Sequence, residues 1–232
     1  PEPYKVIVTQ LFLDMPSEVR AEVGWAELEV PSASTVYRGD VPTIFAGTTD
    51  NLYEVTTAAW LEISKVADGY GSALGSAWHF CSFGNHIIAT NFTDPVQWRE
   101  DNAGDFKDLI ASTDKPKARF CVPFRNQLLL AGINLSGHTT DEIWVSAQDD
   151  ATDFDPALST SCDYQPIISA PGQIMGAVGG EFALIWKRRS IHRVEFVGGE
   201  TIFSIRDVST SIGTPYPKSI VPCEGLVYFW DG

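Results

Sequence analysis

The chain has 232 residues, of which 44% are apolar and 12% aromatic, enough to bury the core of one all-β domain or two small ones. Thirty acidic residues against sixteen basic ones give a formal net charge of −14. Because an acidic surface repels phosphate, this balance argues against a general nucleic-acid-binding protein, although it is equally typical of a protein that charge simply keeps in solution. No apolar run approaches the roughly 20 residues of a membrane span, so this segment is not expected to insert into a membrane.

Residues 1–40 are predicted to be a strand-rich segment of uncertain role. Apolar side chains alternate with polar ones between residues 18 and 25, as in a half-buried strand. A loop is predicted at residues 31–34, where a proline precedes small residues. The chain begins with Pro1, and its last four residues resemble the first turn of another hairpin, so we expect a portion of a longer polypeptide.

From residue 41 onward the chain repeats a pattern of short apolar strands and tight turns. Tyr53, Trp98, Trp144 and His192 follow one another at steps of 45, 46 and 48 residues. A period near 45 residues with about four strands per unit predicts an all-β fold, a β-propeller of four-stranded antiparallel blades. The repeats are predicted at about residues 43–65, 77–109, 117–155 and 166–208, with the start of another at 215–232.

Two of the four cysteines also follow the repeat. Phe80-Cys81 matches Phe120-Cys121, just upstream of similar hairpins. The wide spacing of the cysteines gives no zinc pattern. We therefore expect Cys81 and Cys121 to be buried free thiols in a reducing compartment.

Two charged segments stand out. Asp149, Asp150, Asp153 and Asp155 lie within seven residues and could hold a calcium ion, but the glycine and distal glutamate of an EF-hand are missing, so a solvated loop is the preferred interpretation. Lys187-Arg188-Arg189 puts three cations at a predicted turn. We expect an exposed hairpin tip there, with pairing to the acidic surface of a neighbouring subunit as the alternative.

No set of residues predicts catalysis. None of the four histidines has metal-ligand spacing, and no Gly-x-Ser-x-Gly motif occurs. The glycine-rich stretch at residues 69–75 has the wrong spacing for a dinucleotide loop, and no helical pattern follows it. We therefore predict no catalytic, metal-binding or cofactor-binding residue, and no enzyme. A propeller glycosidase or carbohydrate-binding module, and a generic protein-interaction propeller, are the alternatives kept.

Six short motifs follow one another in the last two repeats, at residues 174–185, 191–194, 196–199, 203–205, 217–221 and 226–229. Their order resembles that of the propeller-bearing tail proteins of short-tailed bacteriophages, known as tail hub, nozzle or packaged-DNA stabilisation proteins. Motifs similar to those of the same family also occur at residues 45–53 and 141–154, so the resemblance covers roughly residues 41–232.

The resemblance implies a structural virion protein. Several copies, typically six, would form a ring below the head-to-tail adaptor, beside other tail proteins. The ring would extend the DNA channel, touch the transiting DNA only passively and help to retain packaged DNA until ejection. The chain would assemble in the host bacterial cytoplasm and end in the virion tail. Neither the blade number, the copy number nor the loops that line a channel follow from the sequence.

Overall fold

The computed structural model describes residues 32–38, 41–55, 60–66, 69–71, 77–100, 103–111, 115–223 and 225–231. Most of the predicted N-terminal segment and part of the glycine-rich stretch at 69–75 lie outside these ranges. The described residues form four four-stranded antiparallel sheets and one two-stranded hairpin. The chain is therefore all-β with a propeller-like fold, as the repeat predicted. No helix within the described ranges is long and apolar enough to cross a membrane.

Each sheet is a meander in which consecutive strands pair. Sheet 1 contains β1 Ser32–Arg38, β2 Val41–Gly47, β3 Leu52–Val55 and β4 Trp60–Glu62. Sheet 2 contains β5 His79–Phe83, β6 His86–Thr90, β7 Gln97–Glu100 and β8 Ala103–Asp108. Sheet 3 contains β9 Ala118–Phe124, β10 Gln127–Ile133, β11 Glu142–Val145 and β12 Asp163–Pro166. Sheet 4 contains β13 Ile174–Val178, β14 Ala183–Lys187, β15 Ile191–Phe196 and β16 Phe203–Ser209. Hairpin 5 contains β17 Val221–Cys223 and β18 Leu226–Tyr228.

Two elements differ from the sequence prediction. The loop predicted at residues 31–34 is wrong from Ser32 onward, because β1 pairs with β2 along its whole length, from Ser32 opposite Gly47 to Arg38 opposite Val41. Serine and alanine have little strand propensity of their own, so the pairing with β2 decides. In sheet 3, the outer strand β12 follows the acidic loop and lies beyond residue 155, the predicted end of that repeat, so the loop is an internal connection of the sheet.

The four residues that recur at the period of the sequence occupy the same strand position in the four four-stranded sheets. Tyr53, Trp98, Trp144 and His192 are all on third strands, and the second-strand residues opposite them are Ala46, Ile88, Leu130 and Ile185. The period is therefore confirmed as one sheet per repeat. The first-strand residues opposite Ile88 and Leu130 are Cys81 and Cys121, so the two thiols are equivalent, and both are buried and free.

Adjacent side chains on the middle strands pack against different neighbouring sheets. Leu128 and Leu130 join the apolar cluster shared with sheet 2, whereas Leu129 packs in the cluster shared with sheet 4. On β6, Ile87 faces sheet 1 and Ile88 faces sheet 3. Because successive strand residues point to opposite faces, a sheet that is covered on both sides needs an unbroken apolar run. The sheets are therefore stacked face to face.

The hydrogen bonds between sheets define two ends of the stack. At the lower end, the β9–β10 turn lies beside the β13–β14 turn, where the Arg125 N–H donates to the Gly180 carbonyl at 2.8 Å. At the upper end, the Ile174 N–H donates to the Thr140 carbonyl at 3.0 Å, which places the β10–β11 loop beside the start of β13. The first strands β9 and β13 therefore run in the same direction, as successive blades of a propeller do.

The joint between sheets 2 and 3 should make stability depend on pH. The His79 ring lies edge-on to Phe120, and desolvation lowers the pKa of His79 to about 4. In the unfolded chain this histidine takes up a proton near pH 6.5, so the unfolded state binds more protons between about pH 6.5 and 4. The stabilising contribution of the neutral ring is complete above that window and is lost as the pH falls through it.

We expect the unfolding free energy to fall by at most about 3 kcal/mol across that window, at about 1.4 kcal/mol per pKa unit. Urea denaturation of the protein and of a His79→Gln variant at pH 7 and at pH 4.5 measures the effect. The variant should lose less stability on acidification. Equal losses in the two proteins would mean that His79 does not carry this pH dependence.

Candidate functional site

Lys187 ends β14 at the upper end of sheet 4, and its side chain is fully buried. Its Nζ donates hydrogen bonds of 2.5 Å to the carbonyls of Ile167 and Ala170, and lies 3.5 Å from a carboxylate oxygen of Asp141. Burial lowers the pKa of Lys187, and the Asp141 carboxylate opposes that change. The side chain thus ties sheet 4 to the chain that leaves sheet 3. The predicted exposed tip of three cations is wrong for Lys187, while Arg188 and Arg189 are exposed.

Beside Lys187, the buried His192 links two strands of sheet 4. Its Nδ1 lies 2.8 Å from a carboxylate oxygen of Asp207, and its Nε2 lies 2.8 Å from the Ser190 hydroxyl. An ionised carboxylate only accepts hydrogen bonds, so the proton of His192 is on Nδ1 and the Ser190 hydroxyl donates to Nε2. Ser169 also donates to Asp207, at 2.7 Å. Burial lowers the pKa of His192, which favours this neutral form.

No catalytic motif in the sequence marks this set, because His192 and Asp207 meet only through strand pairing. Asp207 is the cross-strand partner of His192, at a register shift beside Ile191. Ser190 is close to His192 in sequence, but Asp207 comes from the following strand. Only a prediction of the pairing register between β15 and β16 could have brought His192 and Asp207 together from the sequence.

The order serine, histidine, aspartate is that of a nucleophile, its base and the residue that orients the base. The exposure of the three residues is the reverse of what hydrolysis requires. Ser190 is 1% exposed, whereas the Asp207 side chain is 38% exposed. A nucleophile has to reach its substrate, while the orienting carboxylate works best buried. The set therefore acts as a brace that holds the start of β15 to β16 and to Ser169.

A Ser190→Ala variant should lose about 1–2 kcal/mol of unfolding free energy, because Nε2 of the buried His192 is left without a donor. The folded wild-type protein should not react with a serine-directed fluorophosphonate, as measured by intact mass. Ser211→Ala, at an exposed serine nearby, is the matched control and should be neutral. Labelling of the wild type that disappears in Ser190→Ala would contradict the brace and indicate a nucleophile.

A cavity of about 450 Å³ opens at the upper end of sheet 4, next to the brace. Ala170, Pro171 and Met175 form an apolar part of its wall, and Arg188 and Arg189 line it as well. Among the described residues, no aspartate or glutamate lines this cavity. Glycoside hydrolysis uses a pair of carboxylates that flank the bond to be cleaved. The cavity therefore gives no support to the glycosidase alternative.

The acidic loop lies at the lower end of sheet 3. The Asp149 N–H donates to the Asn126 carbonyl at 2.8 Å, so the loop is fixed beside the β9–β10 turn. The Asp150 carboxylate accepts hydrogen bonds from the amide and hydroxyl of Thr152, which lower its pKa. Asp153 in turn accepts from the Asp155 amide at 2.9 Å.

The carboxylates of this loop are thus engaged in its own turns and are not gathered around one point. In the part of the chain that the structure describes, no group of three or more histidine, cysteine, aspartate or glutamate residues is placed to hold a metal ion. Asp149, Asp150 and Asp155 are exposed, and Leu158 in the same connection is 62% exposed. The lower end therefore presents an ordered acidic loop with an apolar side chain.

Comparisons with known proteins do not identify a family. No protein-family model and no curated protein matches the chain. Among solved structures, one described as the crystal structure of BBS1N in complex with ARL6DN, soaked with mercury, matches with a TM-score of 0.42 and 8% identity. The match covers 78% of this chain and 54% of that chain, so this chain spans about half the length of the solved one. A likeness of this size carries no argument about function.

Proposed function

We propose that this chain is the propeller-bearing part of a structural virion protein, a hub or nozzle subunit in the tail of a short-tailed bacteriophage. Its copies form a ring below the head-to-tail adaptor, six in the family that the sequence resembles. The ring extends the DNA channel and retains the packaged DNA until ejection. The role requires assembly in the host cytoplasm and incorporation into the tail, but no turnover.

The observation that carries the proposal is that buried polar and charged side chains join neighbouring sheets. Arg99 contacts Glu54 at 2.6 Å between sheets 2 and 1, and the Thr90 hydroxyl donates to the Ala118 carbonyl at 2.5 Å between sheets 2 and 3. Lys187 makes the corresponding link between sheets 3 and 4. Buried charges persist only with partners, and here those partners lie across the joints between sheets. The sheets therefore form a rigid block, which suits a ring subunit better than a site that must open.

The charge of the chain also supports the proposal. A DNA channel should bind the passing DNA only weakly, and a protein with a net charge of −14 repels DNA phosphates. Cys81, Cys121 and Cys162 are buried and free, which is in keeping with assembly in a reducing cytoplasm.

The proposal is tested by the state of the purified protein and by its place in the virion. Mass photometry and negative-stain electron microscopy over a range of concentrations should show closed rings with a central opening. Gold-labelled antibody against the chain should bind phage particles at the tail, directly below the head. A protein that stays monomeric throughout, together with particles that bind no antibody, would contradict the proposal.

A generic protein-interaction propeller is the second candidate, because sheet 4 and the connections beside it expose apolar side chains. Ile168, Val197 and Val208 are 50% to 85% exposed. Exposed apolar patches mark interaction surfaces. Capture of one host protein in a fixed ratio by a monomeric chain would favour this candidate over the ring.

A further inference from the structure

We propose that the cavity at the upper end of sheet 4 is a socket for the acidic loop of a second copy of this chain. The socket is the cavity lined by Arg188 and Arg189, and the plug is the β11–β12 connection from Asp149 to Leu158. This inference rests on the proposed ring-forming function and names the surfaces through which neighbouring copies meet.

The socket and the plug lie at opposite ends of the stack. Arg188 and Arg189 directly follow Lys187, which is bonded to Ile167 and Ala170 at the upper end. The plug is fixed at the lower end, where Asn126 Nδ2 donates to the Asp149 carboxylate at 3.2 Å. A strand rises about 3.3 Å per residue, so the length of a sheet separates the two surfaces. One copy therefore cannot fill its own socket.

The socket places two adjacent cations in a chain whose formal net charge is −14. On the same sheet, Arg193 and Arg206 both pair with Glu195. Arg188 and Arg189 are adjacent and exposed, and neither has an ion pair within the described residues. Two such guanidinium groups favour an anion with paired oxygen atoms, and a carboxylate is the natural match.

The plug matches the socket in polarity as well as in charge. Its exposed carboxylates at Asp150 and Asp155 can meet the two arginines, and the exposed Leu158 can enter against the apolar wall at Met175. The cavity volume of about 450 Å³ falls within the range of about 300–1,000 Å³ in which pockets take up a bound group. Aspartates combined with an exposed leucine are thus the chemistry that this cavity fits.

A contact between opposite ends of identical copies is heterologous, because different surfaces of the two copies meet. Repeating one heterologous contact closes a ring when the rotation between neighbours allows it. The socket and plug thus supply the kind of contact that the proposed ring requires. Because the contact depends on charge, it should weaken as salt shortens the range of electrostatic attraction.

A charge exchange tests the contact. In Arg188→Glu/Arg189→Glu the socket is acidic, and in Asp150→Lys/Asp155→Lys the plug is basic. Each variant alone should associate more weakly than the wild type, on the order of 30-fold in Kd or more, because like charges would meet. An equimolar mixture should recover association, since each socket then finds a plug of opposite charge. Sedimentation velocity at low and high salt compares the wild type, the two variants and their mixture.

Two further variants complete the test. Arg206→Glu makes a charge reversal of the same kind away from the cavity and should leave association unchanged. Leu158→Ser removes the apolar contact without changing the charge of the plug, so it should weaken association while the hydrogen bonds of Asp150 are kept. This variant tests the contact even if the lysine variant fails to fold. Wild-type rings that the charge variants leave intact would overturn the socket and leave the ring proposal standing. A wild type that never associates would overturn both.

Discussion

A Lys187→Met variant is expected to lose about 3 kcal/mol of unfolding free energy. Methionine fills a similar volume but donates no hydrogen bond, so the carbonyls of Ile167 and Ala170 lose the donor that lies 2.5 Å away. Asp141 loses its cation as well. The loss should appear in urea denaturation as a lower midpoint with an unchanged slope, because the surface exposed on unfolding stays the same.

Lys218→Met is the matched control for this variant. It removes an exposed cation that lies outside the proposed contact between copies, so the change in unfolding free energy should stay within about 0.5 kcal/mol. If the two substitutions cost the same, the buried lysine does not stabilise the joint between sheets 3 and 4.

Gly179→Ala is expected to cost about 2–3 kcal/mol, through overpacking against backbone atoms. A Cβ at position 179 would overlap the carbonyl oxygen of Pro123 and lie 3.0 Å from the Cβ of Val122. Neither atom can move easily, because the Gly180 N–H already donates to the Pro123 carbonyl at 3.0 Å, which holds the two turns together. Thermal or urea denaturation measures the loss.

Gly71→Ala is the control for that prediction. A Cβ at position 71 would meet no atom within 4 Å, and the hydrogen bond from its amide to Asp94 is retained. The substitution should therefore be close to neutral. A Gly179→Ala protein as stable as Gly71→Ala would show that sheets 3 and 4 can separate at the lower end without loss.

The sequence predicted the sheets because the information that specifies them is local. Consecutive strands pair, so Tyr53, Trp98 and Trp144 recur at a spacing set by one meander. The same locality made Cys81 and Cys121 recognisable as equivalent residues. The first part of β1 escaped prediction because the pairing of Ser32, Ala33 and Ser34 with β2, and not their own composition, decides their structure.

The candidate site could not be predicted, because its members are joined across strands and sheets. Nothing near Lys187 in the sequence indicates that the carbonyls of Ile167 and Ala170 will surround its amine. His192 meets Asp207 only once the register of β15 and β16 is known, and that register shifts beside His192. Lys187 is buried and links sheets 3 and 4, whereas Arg188 and Arg189 are exposed. The sequence does not distinguish these three residues, because they are adjacent and carry the same charge.

The meander order of the sheets has a consequence for how the chain folds. Each strand that the structure describes pairs with the strand before it or after it in sequence, so each sheet can form from one short stretch of chain. Such local pairing is associated with rapid folding, and a sheet can form while later residues are still being synthesised. A nascent sheet 3 would then expose one apolar face, with Leu129 on it, until sheet 4 has left the ribosome. The interval between successive sheets is therefore when this chain is most exposed to aggregation.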